Sequence, residues 1–201
     1  TTEIYTLSLH DALPIWLCYN AEFHTDSGKE RLMPPVHRQQ LPNGLTALVI
    51  EDHRLPVVCS TIWYRVGTRD EPKNQTGIAH FLEHMMFKGT PRFPKGRIDA
   101  ISLRRGGNNN AFTSYDCTGY YFTFAADRWD VALDIEADRM RHLSLDPAEF
   151  EAERQVVLEE LTMGDDHPWE FLRRNVRALA FSRHPYRHPI IGWPEDVAAL
   201  T

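Results

Sequence analysis

The stretch GIAHFLEHMMFKGT, residues 77–90, decides how the chain is read. After Gly77 the apolar residues Ile78, Phe81, Leu82, Met85 and Met86 recur at helical spacing until Lys88–Gly89, which predicts an amphipathic helix. Positions i and i+4 share a helix face, so the imidazoles of His80 and His84 are directed at one point. Glu83 stands one residue before the second histidine, near enough to reach a water at that point but not spaced as a ligand. The order His-x-x-Glu-His reverses the commoner His-Glu-x-x-His zinc helix; either direction supplies two ligands and one base on the same side.

Two imidazoles do not complete a catalytic zinc shell, which needs a third protein ligand and one open position. The acidic segment EAERQVVLEEL, residues 151–161, offers candidates. Glu153 and Glu160 are seven apart and share a helix face, with Val156 and Val157 on a packed side between them, while Glu159 points elsewhere. Helical spacing nominates Glu153 and Glu160 together and does not rank them. His184 and His188 are also four apart, but Pro185 and Pro189 flank them, so they are expected in a loop.

Outward from the histidine helix, LPNGLTALVIEDH and LPVVCSTIWYRVG read as a pair of strands, the first beginning at an Asn43–Gly44 turn. The segment from Pro94 to about Arg105 suits a short helix, ended by Gly106–Gly107. NAFTSYDCTGYYFTF, residues 110–124, is the most strand-like stretch in the chain, and Phe112, Tyr115, Tyr120 and Tyr121 are expected to pack in the core of its sheet. Asp127 is expected to cap a helix through Leu143, Asp146–Pro147 to start another that stops at Gly164, and further helices to follow from about Trp169 to Phe181 and from Pro194. Strands followed by helices without regular alternation predict an α+β layer rather than a doubly wound sheet.

Composition narrows the class. The chain has 201 residues, enough for one sizeable core, with 42% hydrophobic and 25% charged residues, as in ordinary globular domains. A net charge of −6 argues against a nucleic-acid partner, and no apolar run reaches the roughly 18 residues that a membrane span requires. Cys18, Cys59 and Cys117 form no metal or redox spacing, so they leave the compartment open; the last two are expected as small buried strand residues. Residues 1–34 read as a leader outside the fold. Its opening, TTEIYTLSLHDALPI, resembles the conceptual translation of sequencing-adapter sequence, and ALPIWLCYNA lacks the basic flank of a signal peptide.

Six segments together carry a resemblance: LPNGLTALVIEDHRLPVV, GIAHFLEHMMFKGT, NAFTSYDCTGYYF, IEADRM, ERQVVLEEL and HPYRHPIIGWPEDVAAL. In this order they resemble the pitrilysin/insulinase family of zinc peptidases, over residues 35–201. The resemblance implies an α+β domain with a mixed, mostly antiparallel sheet packed with helices. It also implies bound zinc, with His80, His84 and a glutamate as ligands. The family's third ligand follows the second histidine at about the separation of Glu160 from His84, 76 positions (160 − 84), which selects Glu160. Glu83 carries over as the general base, and Glu153 as the acid that orients a ligand histidine. Asn110 and Ala111 carry over as the substrate-binding edge on which a peptide lies as an added strand. Asp138 and Arg139 of IEADRM are expected as a structural polar pair.

The implied activity is a zinc endopeptidase acting on oligopeptides or unfolded polypeptides, as the N-terminal catalytic domain, cut short near its end. A second homologous domain or subunit would complete it. The competing readings are a non-catalytic partner subunit, against which the intact metal motif stands, and a zinc-binding fragment without turnover.

Overall fold

The computed structural model describes residues 35–201 together with the strand β1 (Ala12–Cys18). The further strands are β2 (Val36–Gln40), β3 (Thr46–Ile50), β4 (Val57–Tyr64), β5 (Asn108–Thr113) and β6 (Thr118–Ala125). They form one six-stranded sheet in the order β2-β3-β1-β4-β6-β5. The β1–β3 pair is parallel and the other four are antiparallel, the mixed and mostly antiparallel arrangement expected. Ala12–Cys18 belongs to this sheet, so that part of the leader does not stand outside the fold. Its place between β3 and β4 fills what would otherwise be two open edges, whose N–H and C=O groups need partners.

The strand-like stretch at 110–124 is a hairpin rather than one strand. Ser114 makes the turn, its Oγ donating to the Cys117 carbonyl at 2.8 Å and accepting from the Cys117 amide at 3.2 Å. Along β6, Tyr120, Phe122 and Phe124 point inward and are buried, while Tyr121 and Thr123 between them are half-buried. Gly119 lies opposite Phe112, and a Cβ there would sit 2.6 Å from its ring, so any larger residue would displace that ring. Cys59 and Cys117 are half-buried free thiols, less enclosed than expected.

Among the described residues six α-helices follow from the capping and period signals: α1 (Ile78–Met85), α2 (Arg97–Arg104), α3 (Asp130–His142), α4 (Pro147–Asp165), α5 (Pro168–Ala180) and α6 (Pro194–Ala199). Asp146 caps α4 as expected, accepting from the amides of Ala148 and Glu149 at 2.8 and 3.1 Å. Asp127 does not cap α3: it pairs with Arg128, and the helix begins three residues later. One apolar cluster packs Phe93, Ile98, Val131 and Ile135 against Phe122 and Phe124 of the sheet. A second joins Phe81 and Met85 of α1 to Val157 and Leu161 of α4 and to Val197 and Leu200 around α6. Burying such side chains stabilises by roughly 1.5–3 kcal/mol each, and here it sets α1 against α4.

The N-terminus of α1 is clamped. Glu71 accepts from the amides of Gly77 and Ala79 at 2.9 and 3.0 Å, and Asp196 of α6 accepts from the Thr76 hydroxyl at 2.6 Å. Gly77 and Gly192 both have φ +90°, and a Cβ on either would lie within 2.4 Å of the other's loop backbone. The segment HPYRHPIIGWPED thus closes over the start of the histidine helix.

IEADRM does not make an Asp138–Arg139 pair. Arg139 is buried and forks onto Glu136, Nε to Oε2 at 2.8 Å and Nη2 to Oε1 at 2.5 Å, while Asp138 accepts from the Thr90 hydroxyl and from His142. Neighbouring positions on a helix point about 100° apart, so each finds its own partner.

Candidate metal centre

Because Phe81 and Met85 turn α1 toward α4, His80 and His84 face the last turns of α4. Their rings lie 4.6 Å apart. Glu160 Oε2 is 3.9 Å from His80 Nε2 and 3.6 Å from His84 Nε2, and the donor atoms of all three residues lie within 4.8 Å of one another. These separations are too long for hydrogen bonds, so three donor atoms converge without satisfying each other. Two imidazoles and one carboxylate, with room for a further ligand, form a donor set suited to a catalytic divalent metal.

The protonation states favour ligation. Burial, with a smaller contribution from His84, pushes His80 down to about 4, so it is neutral at physiological pH. His84 Nδ1 is 2.8 Å from Glu153 Oε1. Burial raises the Glu153 carboxyl, but Lys88 and His84 together outweigh it and hold it below the usual glutamate range. An ionised carboxylate only accepts, so Nδ1 carries a hydrogen toward Glu153, and Nε2 is the ring nitrogen on the Glu160 side. Val157 and Leu161 are buried on α4, Val156 is exposed, and Glu153 and Glu160 reach opposite nitrogens of the same ring.

Glu83 is half-buried beside this group, and the Thr113 hydroxyl donates to its Oε2 at 2.6 Å. Burial, against the opposing pull of Thr113 and His84, raises its carboxyl above the ordinary range. His80, Glu83, Thr113 and Glu160 line one cleft of about 560 Å³. The other candidates lie on β5, at one margin of the sheet. Asn110 is exposed there and its Oδ1 accepts from the Ala111 amide at 2.9 Å; it lines a smaller cleft that also reaches Glu83, His84 and Glu153.

All seven nominated residues therefore lie on α1, α4 and β5, around the same end of the sheet. Sequence reading missed Thr113 as the partner of Glu83, Lys88 as the partner of Glu153, and Glu71 as the clamp on α1. Only Lys88 had a local signal, four residues after His84, and it reaches Glu153 from just past the end of α1 at Met85. Tyr115, expected in the core, lines the cleft and packs on Tyr186 at 4.8 Å between ring centres; Tyr120 is buried as expected. His184 and His188 flank a short 3-10 turn at Pro185–Arg187, and His188 Nδ1 accepts from the Trp193 indole at 3.0 Å.

Comparison with known proteins extends this picture. The chain is 39% identical over 169 residues to an uncharacterised zinc protease of Mycobacterium leprae, covering 83% of this chain and 37% of that protein. It is 35% identical over 171 residues to the zinc protease PqqE of Helicobacter pylori, covering 84% of this chain and 38% of that one. Among solved structures, a protease from Helicobacter pylori superposes with a TM-score of 0.82 at 35% identity, over 85% of this chain and 41% of its own. Pitrilysin superposes with a TM-score of 0.72 at 27% identity, over 84% of this chain and 18% of its own. The chain thus spans about two fifths or less of the length of these relatives. Residues 46–193, which hold every nominated site residue, match the profile described as insulinase (peptidase family M16), and the chain belongs to that family.

Proposed function

We propose that this chain is the metal-bearing catalytic domain of a zinc endopeptidase acting on oligopeptides or unfolded polypeptides. The observation that carries the reading is the convergence of His80 Nε2, His84 Nε2 and a Glu160 oxygen on one point beside the Glu83 carboxylate. His80, His84 and Glu160 would hold zinc, which when bound supplies Lewis-acid chemistry: it acidifies a water and polarises a carbonyl. Glu83 takes the proton from the attacking water onto its carboxylate and returns it to the leaving amine. Its raised proton affinity suits both transfers, and the Thr113 hydroxyl fixes one oxygen so that the other is presented to the water. Glu153 keeps the His84 ring in the tautomer that offers Nε2. A peptide adds to the open side of β5 by main-chain hydrogen bonds, with the Asn110 amide and the Ala111 backbone as its first partners.

The relatives extend well beyond the matched region, and we propose that a second homologous domain or subunit completes the working enzyme. The same fact favours a second reading for the chain by itself, as a zinc binder without turnover. Zinc content and cleavage of a quenched peptide test both, comparing wild type with Glu83→Gln, alone and joined to the C-terminal half of a relative. The expected result is equimolar zinc in both proteins and loss of cleavage by about 10²–10⁴-fold in the variant. Cleavage at the wild-type rate by Glu83→Gln would remove the proposed base, and a wild-type chain without stoichiometric zinc would sink the reading.

A further inference from the structure

The wall of the large cleft away from α1 is basic, in a chain whose net charge is −6. Arg173, Arg174 and Arg177 of α5 line it, with Arg187 just beyond that helix. Two of these are neutralised inside the protein, Arg173 by Glu170 and Arg174 by Asp165. Among the described residues, Arg177 and Arg187 form no ion pair with a carboxylate. Arg177 stacks its guanidinium 4.7 Å from the centre of the Tyr115 ring, and Arg187 donates Nη1 to the Ser182 carbonyl at 3.2 Å. The carboxylates sharing the cleft are already committed: Glu83 and Glu160 to the reactive centre, Glu170 to Arg173.

The position of Arg177 gives this charge a geometric meaning. Tyr115 lies two residues past the end of β5, and Tyr186 packs against it while the Tyr186 hydroxyl donates to Asp116 at 2.7 Å. Asp116 Oδ1 also accepts from Arg69 Nη1 at 2.8 Å. The ring beneath Arg177 is therefore part of a braced platform, and the guanidinium on it is half-buried at the end of the strand along which a peptide would lie. A guanidinium pre-set on an aromatic face presents its planar fork to a carboxylate at little cost in rotamer freedom. Inside a cleft walled by protein, such a charge acts at closer to full strength than on an open surface.

We propose that Arg177, together with Arg187, selects peptides that place a carboxylate in this part of the cleft, making the chain an acid-selective peptide binder. This rests on the reading of the cleft as a peptide site. The carboxylate belongs either to an acidic side chain or to the peptide's C-terminus, and the two sources separate experimentally.

The test is fluorescence anisotropy with rhodamine-labelled peptides on the metal-stripped chain, which cannot turn them over. A glutamate is walked through an otherwise neutral, amidated sequence, with glutamine controls and one free-acid version. Wild type is expected to bind one glutamate register, or the free acid, about tenfold more tightly than its neutral control. Arg177→Gln/Arg187→Gln should remove that preference while binding the neutral peptide as wild type does, and Arg177→Lys should keep part of it. Equal affinity of wild type for the acidic and neutral peptides would overturn the proposal. So would a preference that survives in the double variant. Failure of the peptidase reading would instead appear in zinc content or in the Glu83→Gln comparison, neither of which this binding assay measures.

Discussion

Glu136–Arg139 and His80–His84–Glu160 are both polar clusters carried by helices, and they differ in where their polar atoms point. Arg139 meets Glu136 with two parallel hydrogen bonds, and its guanidinium lies 4.4 Å from the centre of the Tyr120 ring, with Phe87 and Phe122 also around it. Both residues are almost wholly enclosed. In the second cluster the Nε2 atoms and a carboxylate oxygen face one another at distances beyond hydrogen bonding, and one member, Glu160, is about half exposed. A buried charge that forks onto a buried carboxylate holds structure together. Donor atoms that converge on a shared point without hydrogen-bonding one another make a place for a ligand.

The largest effect should come from breaking the closed cluster. Arg139→Ala leaves Glu136 buried without its partner, and denaturant unfolding is expected to show a loss of about 3–5 kcal/mol. A loss under about 1 kcal/mol would mean that the pair is not structural. Next, Glu153→Gln removes the acceptor that orients His84, and chelator competition should report zinc affinity weakened by about 10–100-fold. Unchanged affinity would show that His84 needs no such partner.

Glu71 is an intermediate case, a half-buried carboxylate held by backbone amides and, among the described residues, without an ion pair. Burial, partly opposed by the Gly77 and Ala79 amides and assisted by Asp196 and Asp70, raises it from 4.5 to about 7. A folded-state value above the unfolded one means that its contribution to stability is full below about 4.5 and is lost as pH rises through about 7. Between pH 4.5 and about pH 8, the unfolding free energy of wild type should therefore fall relative to Glu71→Gln by about 2–3 kcal/mol, the upper figure being the whole shift and the lower one allowing for solvent screening. A difference that stays flat with pH would place Glu71 with the paired groups. The smallest effect belongs to the open cluster: Glu160→Ala should change the stability of the metal-free chain by no more than about 0.5 kcal/mol while abolishing zinc uptake. Glu159→Ala should do neither, and zinc loss there instead would reverse the assignment.

Most helices were legible because their signals are local. Asp146–Pro147 marks the start of α4, and the period of Ile78, Phe81, Leu82 and Met85 marks α1, through contacts within a turn or two. Where reading went astray, a distant or competing partner was involved. Asp127 resembles a cap but binds its neighbour Arg128, and Tyr115 resembles a core aromatic but lies against Tyr186, on a segment 71 positions away (186 − 115). Ala12–Cys18 reads as leader because nothing local says that β3 and β4 stand ready to pair with it on both sides.

The sequence by itself determined that His80 and His84 share a helix face with Glu83 beside them, and that Glu153 and Glu160 share a face of another helix, since both follow from 3.6 residues per turn. Its resemblance to one family then distinguished the two glutamates. Only the tertiary structure decided that those faces meet, because the meeting depends on Phe81 and Met85 packing against Val157 and Leu161 across some 75 residues of chain, and on loops that clamp the start of α1. It also set Thr113 on Glu83 and Arg177 on Tyr115. Neither contact has a periodicity to announce it, because each joins residues that only the packing of separate elements brings within reach.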